Sequence, residues 1–163
     1  MTHITPSSPP HLRHSDLTYI ERLLVHAQRR WVADQTSWTH LVLEFSRACG
    51  PRRATCICEA LEATLETLGR HARRQIPLYP LLCSRISPDE ICLLNLLAAH
   101  QSRDTTHVGA LIDWLVPEHA AGALRAHIDI VTRALAQCDY LLAVRHADTR
   151  PHSAAQASIR AVL

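Results

Sequence analysis

The chain has 163 residues, with 17 arginines and no lysine, 15 acidic side chains, 12 histidines, 6 cysteines and 4 glycines. A chain of that length supports one domain that buries about 70% of the surface it exposes when unfolded, with no disulfide or metal needed to hold it. A hydrophobic share of 47% and a charged share of 20% exclude a disordered chain, and a formal charge of +2 is too small to argue nucleic-acid binding by itself. No apolar run approaches the roughly 20 residues of a membrane-spanning helix.

Residues 1–14 are rich in Thr, Ser, Pro and His and have no basic segment followed by an apolar one. They predict a flexible arm rather than a secretory leader, so the cysteines are expected as thiols in the cytoplasm. Leu17, Ile20, Leu24, Ala27 and Trp31 step by three and four and predict a first helix. Ser15 or Asp16 would cap it, and Arg29 and Arg30 suit its C-terminal dipole. Residues 34–37 break the pattern. Trp38, Leu41, Phe45 and Ala48 predict a second helix, capped by Thr36 or Ser37 and stopped by Gly50. Pro51 suits the first position of a third helix, with the stripe Cys58, Leu61, Leu65, Leu68 and Ala72. Residues 75–86, with Pro77 and Pro80, predict a connection.

Ser87-Pro88-Asp89-Glu90 is the strongest local signal: Ser as N-cap, Pro in the first turn and Glu three residues on form a capping box. It opens a helix apolar almost all round, through Ile91, Cys92, Leu93, Leu94, Leu96 and Leu97, which needs cover on every side. Asp104 caps a fifth helix with the stripe Val108, Leu111, Ile112 and Leu115. Pro117 starts a sixth, with Leu124, Ile128, Val131, Leu135 and Cys138 as its seam. Residues 144–163 predict a weakly structured tail. The expected fold is all-α: a single compact bundle of about six helices, loosely three plus three, over residues 15–143.

The absence of lysine and the single asparagine, Asn95, point to a GC-rich, bacterial coding sequence. They also exclude Schiff-base chemistry and a P-loop lysine. Cys49, Cys56, Cys58, Cys83, Cys92 and Cys138 contain no CxxC, and Cys56 and Cys58 fall about 200° apart on a helix. Such thiols are expected as small buried apolar groups. His40 and Glu44 share a helix face, but no Glu-x-x-His occurs, so an exposed pair is expected there. There is no His-Glu-x-x-His, no Gly-x-Ser-x-Gly and no glycine-rich phosphate loop. The sequence therefore nominates no catalytic residue, metal ligand or cofactor. An enzyme would need a pocket gathering His100, Cys92 or Asn95.

The leading functional expectation is a non-catalytic regulatory or adaptor protein that binds another protein, or a second copy of itself. Trp114, Val116, Tyr140 and Leu141 lie off the main stripes, as do Val25 and Leu142, and offer an apolar face. Arg52, Arg53, Arg70, Arg73 and Arg74 are the candidate charged contacts. The last three suit the end of the third helix. Arg52 and Arg53 run against the dipole at its start and are expected to pair with a carboxylate such as Glu59, or with a partner's acidic surface.

Residues 86–137 combine Ile86-Ser87-Pro88-Asp89-Glu90, an apolar helix, a break and Ala123-Leu124-Arg125-Ala126-His127-Ile128. Over about a third of the chain this resembles the C-terminal helix-turn-helix of LuxR-type regulators. The resemblance implies duplex-DNA binding, for which the outward face of the sixth helix offers Arg125 and Arg133. The chain departs from the pattern in having no glycine in the Val116-Pro117-Glu118 turn and an aspartate, Asp129, between the two arginines.

Overall fold

Side-chain caps at Thr18, Ser87 and Asp104 set the starts of three helices in the computed structural model, which describes residues 11–33, 38–146 and 157–159. Its helices are α1 Tyr19–Ala33, α2 Thr39–Cys49, α3 Pro51–His71, α4 Pro88–Gln101, α5 Thr105–Leu115 and α6 Glu118–Ala136. A 3-10 turn, His14–Asp16, precedes α1. A short strand β1, Pro77–Leu78, pairs antiparallel with β2, Ala157–Ser158. The residues predicted to break the chain at 34–37, including both candidate caps of α2, lie outside the described residues.

The capping box of α4 forms as its spacing requires. Glu90 N donates to Ser87 Oγ at 3.1 Å and Ser87 N to Glu90 Oε2 at 2.7 Å. Asp104 Oδ1 accepts from His107 N at 3.0 Å and opens α5. The start of α1 differs from expectation. Asp16 accepts from Arg13 N at 2.8 Å within the 3-10 turn, while Thr18 N donates to Glu21 Oε2 at 2.7 Å and Thr18 Oγ1 accepts from Glu21 N at 3.4 Å. Thr18 sits inside an apolar stripe that begins at Leu17, so periodicity alone places the cap too early. Pro117 is the N-cap of α6 rather than its first residue. Gly50 joins α2 to α3 with φ 81° and ψ 158°, a backbone region essentially reserved for glycine.

The molecule is an all-α bundle with α4 at its centre, in contact with α1, α5, α6 and β1. Ile91, Leu93, Leu94, Leu96, Leu97, Ala98 and Ala99 of α4 are all buried, the cover its all-round apolarity demands. The broadest helix packing, α3 on α6, joins the two sequence halves into one core. Trp31, Leu24, Leu41, Phe45, Ile57 and Leu68 are fully buried in it, each worth roughly 1.5–3 kcal/mol of transfer free energy on the scale for large apolar side chains.

Arg29 does not serve the dipole of α1. It is 3% exposed and turns inward to Glu90, which is 0% exposed. Arg29 Nε donates to Glu90 Oε1 at 2.6 Å and Nη2 to Oε2 at 3.0 Å, and its remaining reach goes to the carbonyls of Cys83 and Arg85, each at 2.6 Å. The connection before α4 is thereby fastened to α1.

After α6 the chain is held by side-chain amides of α4. Asn95 Nδ2 donates to Arg145 O and Arg145 N to Asn95 Oδ1, both at 2.7 Å. Gln101 Nε2 donates to Tyr140 O at 3.0 Å, and Gln101 Oε1 accepts from Leu142 N at 2.8 Å. The Arg145 guanidinium grips both carboxylate oxygens of buried Glu21, at 2.8 and 2.7 Å. Within the tail predicted to be weakly structured, residues 157–158 form β2 and Ile159 is fully buried. At the other end, Ile86 N donates to Leu12 O at 3.0 Å and His14 N to Ser84 O at 2.7 Å, so residues 12–14 lie on the connection.

Candidate functional site

The apolar face expected from the off-stripe residues does not assemble. Val116 and Val25 are both 0% exposed, which removes them from any surface: the α5–α6 corner and α1 each pack neighbours on more than one side. Tyr140 and Leu142 are partly buried against the core, leaving Leu141 and Trp114 exposed. The arginines at the end of α3 are largely engaged. Arg73 Nε donates to Asp113 O at 2.8 Å and Val116 O at 3.2 Å, closing the C-terminus of α5. Arg74 pairs with Asp89 and lies 5.1 Å over the Trp114 ring. Arg70 is 3.9 Å from Glu66 on the helix surface.

Arg52 and Arg53 behave differently. They occupy the first turn of α3, held there by Gly50 and Pro51, and both are exposed. Neither pairs with Glu59 or any other carboxylate among the described residues. Arg53 Nε only reaches Gln137 Oε1, at 3.4 Å. Because α3 runs along α6, these two arginines face Arg133 and Ile130 across a groove of about 270 Å³. Ile130 is 45% exposed and, with Ala134 and Cys56, gives the groove an apolar floor. Arg133 Nη2 is bound to Asp129 Oδ2 at 2.6 Å on the same helix.

Asp129 marks the boundary with a second concavity, since its other oxygen lies 3.9 Å from His100 Nε2. That concavity, about 230 Å³, is lined by His100, Arg103, Thr105, Val108 and Arg125. Arginines of α3, α6 and the α4–α5 corner, with His100 of α4, thus line two adjoining concavities. Arg125 and Arg133, expected as a DNA-contacting pair, fall into different concavities either side of Asp129.

A third concavity of about 210 Å³ lies where α1 meets α2 and holds His14, Tyr19, Arg22, His26, His40 and Glu44. Here Glu44 accepts from Tyr19 Oη at 2.9 Å and pairs with Arg47, and the His26 and His40 rings are 6.1 Å apart. Burial, followed by the charges of neighbouring side chains, lowers the pKa of both His14 and His26 below the usual imidazole value. Among the described residues no group of three or more His, Cys, Asp or Glu side chains is placed to hold a metal ion. All six cysteines are free. Cys56 is exposed and Cys58 buried, as their spacing on a helix dictates. Burial pushes the Cys49 and Cys58 thiols up to about 12 and Cys92 up to about 11, which favours the thiol over the nucleophilic thiolate. No helix among the described residues is long and apolar enough to cross a membrane.

What sequence reasoning could not see is the convergence of Arg52, Arg53 and Arg133, or of His100, Arg103 and Arg125, because both depend on which helices pack. The one available signal was the absence of a carboxylate three or four residues from Arg52 or Arg53 on the helix face. Compared with known protein families, curated proteins and solved structures, the chain matches none.

Proposed function

We propose that this chain is a non-catalytic binding protein of a regulatory or adaptor kind, acting in a bacterial cytoplasm, which takes an acidic segment of another protein into the groove between α3 and α6. The observation that supports this reading is the pair of guanidiniums, Arg52 and Arg53, with no carboxylate partner among the described residues, beside an apolar floor at Ile130. A segment with carboxylates on one side and aliphatic groups on the other would satisfy both. Arginine around an apolar centre is the usual composition of protein interfaces, and unpaired surface charge speeds and orients encounter.

The test is fluorescence anisotropy with a labelled amphipathic peptide bearing Glu and Leu on opposite faces, its Lys-for-Glu counterpart, and a short duplex DNA. The acidic peptide is expected to bind with a Kd on the order of micromolar and to lose about tenfold in the Arg52→Glu/Arg53→Glu variant. Equal binding of both peptides, or indifference to the variant, removes this reading. Preferential binding of the duplex, falling steeply with salt and lost in Arg125→Glu/Arg133→Glu, replaces it with DNA recognition. Against that alternative stands the ion pair that already neutralises Arg133.

A further inference from the structure

We propose that the concavity formed by His100, Arg103, Thr105 and Arg125 binds the phosphate of a phosphate monoester. The four side chains come from three places in the fold: the end of α4, the α4–α5 corner with the first turn of α5, and α6. Among the described residues, neither Arg103 nor Arg125 has an anionic partner. The nearest acid in sequence, Asp104, is engaged elsewhere: Oδ1 caps His107 N at 3.0 Å and Oδ2 lies 3.9 Å from His107 Nδ1.

The hydrogen-bonding of His100 is also directed. Thr132 Oγ1 lies 2.9 Å from both Ile128 O and His100 Nδ1, which anchors that ring nitrogen against α6. The other ring nitrogen, Nε2, lies 3.9 Å from Asp129 Oδ1, and the ring lines the cavity. Two planar guanidiniums match the roughly −1.5 to −2 charge of a phosphate monoester and its bidentate geometry, and Thr105 adds a hydroxyl donor. A single carboxylate would leave one arginine unanswered. The volume of about 230 Å³ lies below the roughly 300–1,000 Å³ of pockets that enclose whole small molecules, so the site suits a phosphoryl group with the rest of its carrier outside. This inference does not rest on the α3–α6 groove.

The experiment is a titration of the ¹⁵N-labelled full chain with inorganic phosphate, phosphoserine and a phosphoserine peptide, using chloride at matched ionic strength as control. Saturable shifts confined to His100, Thr105, Val108 and their neighbours are expected with all three and absent with chloride. Arg125→Gln should weaken binding about tenfold. Arg103→Asn should do the same without unfolding risk, because Arg103 has φ 59° and asparagine tolerates that left-handed backbone. Asp129→Asn should tighten binding by removing a competing anion, and Arg52→Glu/Arg53→Glu should leave it unchanged. Tighter binding of the phosphopeptide than of phosphoserine assigns the phosphate to a partner protein; equal binding assigns it to a free metabolite. Shifts that chloride reproduces, or that persist in both arginine variants, overturn the proposal.

Discussion

Arg29 and Glu90 form a buried bidentate ion pair between α1 and α4, with Nε–Oε1 at 2.6 Å and Nη2–Oε2 at 3.0 Å. Desolvating two charges is unfavourable, and the geometry offsets that cost because both groups make further hydrogen bonds beyond the pair itself. Glu90 also accepts from Ser87 N at 2.7 Å and Tyr79 N at 3.3 Å, while Arg29 holds two carbonyls of the connection. Removing one partner strands a buried charge. Glu90→Gln or Arg29→Met is therefore expected to cost about 3–5 kcal/mol in urea unfolding. The double variant should cost clearly less than the sum of the two. Strict additivity would mean the two residues act independently, contrary to this geometry.

Gly50 and Gly122 should respond to alanine with opposite signs. Gly50 has φ 81° and a Cβ there would meet nothing within 4 Å, so Gly50→Ala costs backbone strain alone, about 1–3 kcal/mol. Gly122 lies inside α6 with the same open space and no left-handed φ, so Gly122→Ala should stabilise by roughly 0.5–1 kcal/mol. Chemical denaturation of the two single variants checks both signs.

These contrasts show which parts of the fold could be read in advance. The capping box at Ser87, the cap at Asp104 and the Gly50-Pro51 corner are local events, completed within four residues, and the chain displays them directly. The central place of α4 follows from its lack of a polar face. Arg29 could not be placed, because a charge at a helix end suits the dipole equally well as long as its partner, 61 residues away, is unknown. Val116 misled for a related reason: lying off one helix's stripe says nothing about a second neighbour. The two basic concavities are tertiary in the same sense, and only Arg52 and Arg53, lacking an obvious local partner, hinted at one of them.

Mild acid should destabilise the protein through His14 and His26. Burial holds both folded-state pKa values below the ordinary 6.5, with Arg29 and Arg22 adding to the effect at His14 and His40 and Arg30 at His26. The unfolded chain then binds protons more readily than the native one. The stabilisation is complete above the unfolded value of 6.5 and is lost as pH falls through the lower folded values. Glu21 adds a later step. Burial alone would raise it, but Arg145 and Thr18 outweigh that and hold it below 4.5, so its contribution survives until the carboxylate range. Urea midpoints measured from about pH 8 down to about pH 3 should fall in two stages. In His14→Gln/His26→Gln the first stage should be shallower. A midpoint that is flat or rises as pH drops below 6.5 would contradict this.

The segment that follows α6 should open as a unit when its amide clamps are cut. It has almost no backbone ladder of its own: Asn95 and Gln101 stand in for one, offering donor and acceptor to Arg145, Tyr140 and Leu142, while Leu141 and Val144 point to solvent. Its apolar anchorage is modest, so polar contacts carry most of its order. Asn95→Ala/Gln101→Ala removes four clamping hydrogen bonds worth about 0.5–1.5 kcal/mol each and is expected to raise hydrogen exchange across residues 140–145 by roughly thirtyfold or more, with little change in α3. Glu21→Gln should loosen the same segment through Arg145, and more weakly, because the neutral amide still accepts from the guanidinium. If exchange instead rises uniformly over α1, α4 and α6, the clamps belong to the global core and the segment has no independent opening.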